Sequence, residues 1–365
     1  MTEACLNRIA TAAPEHDVHD AFVAFADNML RDAPDPRIRS LFQRMAQRSG
    51  IQHRYSVLSP NVSPNDDPEF TIDAHEFYRR GQFPSTSARM DAYEQQAPRL
   101  LNRTLDRLAI SDDERSAITH VVVTSCTGLY APGLDFAIID HLGLDPSVER
   151  TMIGFMGCYA AINGLKTARH IVRSHPEAKV LCVNLELCTL HMQETVNLEQ
   201  VLSFLVFADG CAAALVSADP VGLALDSFRS VVLPATRDLI TWRIGGSGFD
   251  MVLDGKVPHA IGASLPHCAA DILAGARPGD IAMWAVHPGG KSVLDAVQKG
   301  LALPQEALAA SRCVLASFGN MSSATVMFVL QRIMDSIPAN AGGKRGCAMS
   351  FGPGLTAETM LFHAL

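Results

Sequence analysis

Met152-Ile153-Gly154-Phe155-Met156-Gly157-Cys158-Tyr159-Ala160-Ala161 is the stretch on which the reading of this chain turns. The short apolar run 152–155 reads as a strand, and a helix is predicted from Cys158 to about Ser174. Ala161, Leu165, Ala168 and Val172 fall on one face of that helix, and His175-Pro176 ends it. Gly157 permits a tight turn between the two elements. A cysteine on such a turn projects its side chain. The unpaired N–H groups and dipole of a helix start favour an anion there, which predicts a lowered thiol pKa. The bland alternative is a buried cysteine at the start of a core helix, and the local pattern leaves both open.

Working outward, 117–125 is β-branched and reads as a buried strand. Leu134–Leu142 has helical spacing, stopped by Gly143 and Pro146, and 180–187 reads as another buried strand. The runs 202–207 and 211–216 read as paired strands around Asp209-Gly210. A similar order returns later. A strand over 281–286 turns sharply at His287-Pro288-Gly289-Gly290 into a helix over 292–300. An apolar helix follows over 322–334, then a last strand over 347–351 before Gly352-Pro353-Gly354. Strand, turn, helix and strand in both halves predict an α/β fold with mostly parallel or mixed sheets. The boundary is placed near 218–220, dividing the chain into 1–217, with Cys158, and 218–365. The segment 59–73, rich in Pro, Asn, Asp and Ser, reads as a long loop.

The chain of 365 residues has room for two domains or one large duplicated one. A hydrophobic share of 48% against 19% charged excludes a disordered protein. With 30 Lys and Arg against 38 Asp and Glu the net charge is −8, which argues against a nucleic-acid binder built on a basic surface. The start carries an acid and no long apolar region, and the apolar run 201–208 is too short to span a bilayer, so a soluble cytoplasmic protein is expected. The nine cysteines are odd in number and show no framework spacing, so they read as reduced thiols. Cys188 and His191 have a metal-like spacing without a partner pair. Gly290-Lys291-Ser292 resembles the end of a P-loop, but Ala285 stands where that motif needs glycine. Gly245-Gly246-Ser247-Gly248 does not fit a dinucleotide fingerprint and reads as a turn. Neither a metal nor a nucleotide cofactor is expected.

A nucleophilic cysteine needs a partner that shares its proton. His287 closes an apolar strand, where open α/β sheets present side chains to the ligand crevice. Asn320 precedes a very apolar helix. Taken singly, His287 reads as a core histidine and Asn320 as an N-cap. Together with Cys158 they form a Cys, His, Asn set at matching places of two similar halves.

Four segments, Gly154-Phe155-Met156-Gly157-Cys158-Tyr159-Ala160, Trp284-Ala285-Val286-His287-Pro288-Gly289-Gly290, Gly319-Asn320-Met321-Ser322-Ser323-Ala324 and Phe351-Gly352-Pro353-Gly354-Leu355-Thr356, resemble those of type III polyketide synthases. These are the chalcone synthase-like branch of the thiolase fold, and the bacterial members are the nearer likeness. The resemblance runs from about Arg37 to the end. It implies a duplicated thiolase-like αβαβα five-layer fold working as a homodimer. It implies Cys158 as the acyl-carrying nucleophile and His287 with Asn320 as the decarboxylation site. Acyl-CoA and malonyl-CoA are the implied partners, as substrates rather than cofactors. Phe207 and Phe249 match the two phenylalanines at the cavity mouth. Cys126, Cys188, His191, Ile240 and Ser322 match cavity positions that set starter, chain length and ring closure, and the bulk of His191 and Ile240 is expected to narrow the starter pocket. Ala131 stands where a larger residue normally reaches into the partner's cavity.

CoA carries phosphates and needs a basic entrance. At 100° per residue Arg37, Arg44 and Arg48 align on one helix face, with Ile38, Leu41, Phe42 and Met45 on another. The resemblance maps Arg44 and Arg48 onto CoA contacts. It departs at Leu41, where lysine is usual, leaving Arg37 or Arg54 as candidate substitutes. The nearest rival is a ketoacyl synthase III of fatty acid initiation, which shares fold and triad but lacks the Met-Ser-Ser-Ala and Phe-Gly-Pro-Gly-Leu-Thr forms.

Overall fold

The structure, a computed structural model, describes residues 2–61, 71–338 and 342–365. The strands are β1 (Cys5–Ala12), β2 (His16–Asp17), β3 (Tyr55–Ser56), β4 (Ile118–Ser125), β5 (Glu149–Gly154), β6 (Lys179–Leu187) and β7 (Asp209–Ser217). They continue with β8 (Leu223–Val232), β9 (Ile240–Gly245), β10 (Gly248–Leu253), β11 (Met283–Val286), β12 (Arg345–Gly352) and β13 (Thr356–Ala364). The α-helices are α1 (His19–Met29), α2 (Pro36–Arg48), α3 (Thr86–Leu108), α4 (Asp112–Ala117), α5 (Leu134–Leu142) and α6 (Ala160–Ser174). After them come α7 (Leu198–Val206), α8 (Val257–Ile272), α9 (Lys291–Gly300), α10 (Ala309–Phe318) and α11 (Thr325–Ser336). The loop expected over 59–73 is described only at its ends, and 62–70 lie outside the described residues.

Nine strands form one mixed sheet in the order β5-β4-β6-β7-β1-β8-β13-β12-β11. In the first half β4 is parallel to β6, β6 antiparallel to β7, and β7 antiparallel to β1. In the second half β11 is parallel to β12, β12 antiparallel to β13, and β13 antiparallel to β8. The same pairing scheme thus occurs twice. The halves meet where β1 lies antiparallel on β8 through Cys5–Ala224 and Leu6–Leu223.

Three apolar cores explain the layering. Helices α6 and α11 share the central core with strands of both halves. Helices α3 and α5 cover the outer face of the first half, and α8 and α9 that of the second. Helix, sheet, helix, sheet and helix are therefore stacked, the duplicated thiolase-like arrangement. Helix α11 is buried almost all round, through Val326, Met327, Phe328, Val329, Leu330 and Ile333. A helix so apolar belongs inside a protein. In α6 the buried face includes Ala161, Leu165, Ala168 and Val172, as the spacing predicts.

One element differs from its sequence reading. The run 202–207, expected as a strand paired with 211–216, lies mostly within α7. Asn197 caps this helix by accepting the N–H groups of Glu199 and Gln200, at 3.0 and 3.3 Å. Val201 and Leu205, one turn apart, bury its inner face. The strand partners of β7 are β1 and β6.

The seam between the half-sheets leaves no room beside Gly222, whose φ is +92° and where a Cβ would lie 2.2 Å from the Leu6 carbonyl oxygen. Gly222→Ala is expected to cost about 2 kcal/mol or more. Calorimetry should show a fall in Tm of several degrees, and an unchanged Tm would show that the seam carries little of the stability.

Candidate active site

The two central helices are each entered through a single 3-10 turn, and these turns pack against one another. The first, Gly157–Tyr159, carries Cys158 and leads into α6. Gly157 has φ +74°, and a Cβ there would lie 2.5 Å from the Pro353 ring. Only glycine allows that approach. The second turn, Ser322–Ala324, leads into α11 and follows Asn320.

Asn320 is held by its backbone. Its N–H donates to the Val206 carbonyl at 2.8 Å, and its carbonyl accepts from the Ala208 N–H at 2.9 Å. Phe207 and Asn320 are therefore locked side by side. The Asn320 side chain has four neighbours, the Thr325 hydroxyl donating to its Oδ1 at 3.5 Å. Oδ1 accepts the Ser322 N–H at 2.9 Å, Nδ2 donates to the Gly289 carbonyl at 3.3 Å, and the amide is in hydrogen-bonding contact with the Cys158 thiol. It thus joins the turn bearing His287 to the turn bearing Cys158. His287 follows β11, and its N–H donates to the Met349 carbonyl of β12 at 2.8 Å. Its ring is buried over Gly289, and among the described residues both ring nitrogens lack a hydrogen-bond partner.

The electrostatics differ from the sequence expectation. Burial pushes the Cys158 thiol up to about 12, with the Ser322 hydroxyl pulling it down, the Glu186 carboxylate pushing it up and the Asn320 amide again lowering it. The helix start does not outweigh desolvation, because Cys158 precedes α6 on its own turn. Burial also pushes His287 down to about 3. Neither group is disposed to charge alone. A proton shared between the two would leave opposite charges that steady each other in a medium of low dielectric. Cys126 and Cys188 are pushed well above the ordinary thiol value by burial and remain thiols.

A chamber opens beside Cys158. Among the residues expected there, Cys126, Cys188, Phe207, Ile240 and Ser322 line it. Phe249 and His191 stand behind that lining, almost wholly buried. Thr127, Phe204, Trp242, Met251 and Pro353 also line it, and the sequence reading missed them. The signals were present. Trp242 follows Ile240 by two along a strand, Met251 follows Phe249 likewise, and Phe204 precedes Phe207 by three. Glu186 was missed too, although a carboxylate inside the apolar run 180–187 calls for an explanation. It accepts from the Ser323 hydroxyl at 2.6 Å, the Thr127 hydroxyl at 2.8 Å and the Cys126 N–H at 2.9 Å. Burial pushes this acid up to about 7 in spite of those donors.

The basic helix α2 packs on α7, whose Phe204 reaches the chamber. Arg44 and Arg48 are exposed. Leu41 and Met45, on the apolar face of this helix, are exposed as well, and of that face only Phe42 is fully buried. Arg37 is tied to Asp35 at 2.8 Å. Arg54 is wholly buried, so it does not substitute for the missing lysine as a phosphate contact. Among the described residues no helix is long and apolar enough to cross a membrane.

Residues 1–220 match the N-terminal domain of chalcone and stilbene synthases, and residues 224–365 match the C-terminal domain. The chain belongs to the chalcone and stilbene synthase family and is a type III polyketide synthase, an acyltransferase. It is 32% identical over 373 residues to the alpha-pyrone synthesis polyketide synthase-like protein Pks18 of Mycobacterium tuberculosis, covering 100% of this chain and 92% of that one. It is also 32% identical to bisdemethoxycurcumin synthase of Oryza sativa subsp. japonica, covering 98% and 91%. The solved structure of PKS-I from the brown alga Ectocarpus siliculosus matches with a TM-score of 0.86 at 31% identity, covering 100% of this chain and 99% of that one. The 1,3,6,8-tetrahydroxynaphthalene synthase of Streptomyces coelicolor A3(2) matches with a TM-score of 0.86 at 27% identity, covering 98% and 99%.

One buried cation braces this site. Arg54 Nη1 donates to the Phe204 and Phe207 carbonyls at the end of α7, at 2.7 and 2.9 Å. Its Nε donates to His19 Nδ1 at 3.0 Å. Burial pushes His19 down to about 4, so this ring is neutral and free to accept. Gly319, next to Asn320, has φ +70°, and a Cβ there would lie 2.8 Å from Arg54 Cγ. Burial pulls the guanidinium down to about 9, against Asp17 and Asp209, which leaves it charged at neutral pH. Arg54→Met strands both carbonyls and is expected to cost about 2–5 kcal/mol in urea unfolding. A loss below about 1 kcal/mol would mean that α7 is held by other contacts.

Proposed function

We propose that this synthase builds its product on Cys158. The thiol attacks the carbonyl of an acyl-CoA thioester while its proton passes to His287. That proton leaves with the CoA sulfur, and the acyl group stays on Sγ. Malonyl-CoA then enters and loses carbon dioxide. Negative charge grows on its thioester oxygen, where the imidazole of His287 and the amide of Asn320 donate. The new carbanion attacks the acyl carbonyl, the bond to Cys158 breaks, and the freed thiolate can take the lengthened chain back from CoA. Decarboxylation drives the step. The apolar chamber disfavours the malonyl carboxylate and admits little water.

The observation that carries this reading is the pair of unpartnered ring nitrogens of His287, set across Gly289 from the amide that touches the Cys158 thiol. The halves 1–217 and 218–365 are proposed as the duplicated units, the first supplying Cys158 and the second His287 and Asn320. Arg44 and Arg48 are proposed to meet CoA phosphates, and their exposure one helix away from the chamber supports this. A second copy is proposed to cover the open edge of β5, where Leu129, Phe136 and Met152 are exposed. Malonyl is taken from CoA in this reading, whereas a ketoacyl synthase III takes it from a carrier protein.

Pure protein given malonyl-CoA and a panel of acyl-CoAs is expected to release carbon dioxide and CoA and to yield pyrones or aromatic products by mass spectrometry. No malonyl-CoA-dependent product from any starter would refute the proposal. Asn320→Ala should lose about 10²–10³ of the decarboxylation rate, the usual effect of one oxyanion donor. Cys158→Gln should decarboxylate without condensing.

The charge argument gives a pH test. Without its proton acceptor, Cys158 is left with the upward push of burial and Glu186, which the Ser322 and Asn320 side chains only partly offset. In His287→Gln the rate of iodoacetamide inactivation at pH 7 should drop at least about tenfold, and its inflection should move to higher pH. An unchanged pH profile would show that His287 does not share the thiol proton.

A further inference from the structure

The chamber beside Cys158 is small. The space in which the centre of a water molecule can sit amounts to about 30 Å³. That is room for roughly two waters. One wall comes from the hairpin of β9 and β10, where Ile240 and Trp242 point the same way and Met251 pairs directly across from Trp242.

The half-buried indole of Trp242 is held by one hydrogen bond and two ring contacts. Its Nε1–H donates to the Cys126 carbonyl at 2.8 Å. It meets the His191 ring edge-on at 5.7 Å and 80°, and the Phe249 ring at 5.8 Å and 87°. These two rings stack on each other at 4.2 Å and 14°. His191 is itself immobile, with Nε2 at 2.6 Å from the Thr127 carbonyl and Nδ1 accepting the Phe249 N–H at 3.1 Å. A carbonyl only accepts and an amide N–H only donates, so His191 is the neutral Nε2–H tautomer. Arg89 braces the segment from behind, donating to the carbonyls of Leu190 and Met192 at 2.6 and 2.9 Å. The three rings therefore form a rigid plug and not a swinging gate.

We propose that Trp242 is a specificity-determining residue, the fixed end wall that limits the acyl group on Cys158 to a short one of acetyl or malonyl size. This rests on the synthase reading above. His191 and Phe249 act through Trp242 as positioning residues, since they stand behind it and do not line the space.

The test compares kcat/KM of the full chain for acetyl-CoA, hexanoyl-CoA and lauroyl-CoA as starters with malonyl-CoA, and for malonyl-CoA alone. The wild type is expected to favour the short starters over lauroyl-CoA by at least about tenfold. Trp242→Ala should shift the hexanoyl-to-acetyl ratio upward by at least about tenfold, while Trp242→Phe, which keeps a ring there, should stay near the wild-type ratio. If Trp242→Ala fails to fold, Trp242→Leu is read on the same ratio. A merely structural tryptophan would lower all starters together and leave the ratio unmoved, and that result overturns the inference. Equal use of lauroyl-CoA and acetyl-CoA by the wild type overturns it as well. Absence of product from every starter overturns the synthase reading with it, whereas product at an unchanged ratio overturns this inference alone.

Discussion

The close approach of the two turns at the heads of α6 and α11 is the contact on which the remaining structure depends. It exists because each half-sheet delivers strand ends to the same side and buries one helix against the other half. Side chains are removed where backbones must meet. Gly157 lies under Pro353, and Gly210 lies under Met321, where a Cβ would be 2.3 Å from Sδ. A side chain at Gly157 would run into the Pro353 ring, and one at Gly210 into the Met321 side chain.

Duplication explains why the site is composite. Cys126 follows β4 as His287 follows β11, and Cys158 precedes α6 as Asn320 precedes α11. Equivalent places in the two halves thus face one another across the seam. Neither half holds the full set. One carries Cys158, and the other carries His287 and Asn320.

Burial sets the chemistry. Burial makes isolated charge costly, so Cys158 and His287 are held in uncharged forms. The charges kept nearby are tied down elsewhere. Arg54 and Arg89 spend their donors on backbone carbonyls, and Glu186 accepts from two hydroxyls and an amide. These bonds leave little slack in the walls.

The sequence by itself determined the α/β layering and the twofold recurrence, and it singled out Cys158, His287 and Asn320 as candidates, because strand runs, helix faces and glycine turns are local patterns with fixed periods. It also marked five of the chamber's lining residues through the family likeness. It misread 202–207, since a short apolar run has no period of its own and the Asn197 cap outside it settled the matter. It overstated the helix start at Cys158, because desolvation depends on what packs above the sulfur. Trp242, Glu186 and the burial of Arg54 were decided only by tertiary structure: their roles come from neighbours far along the chain, and a residue's distance from solvent is a property of the packed molecule, not of its local sequence.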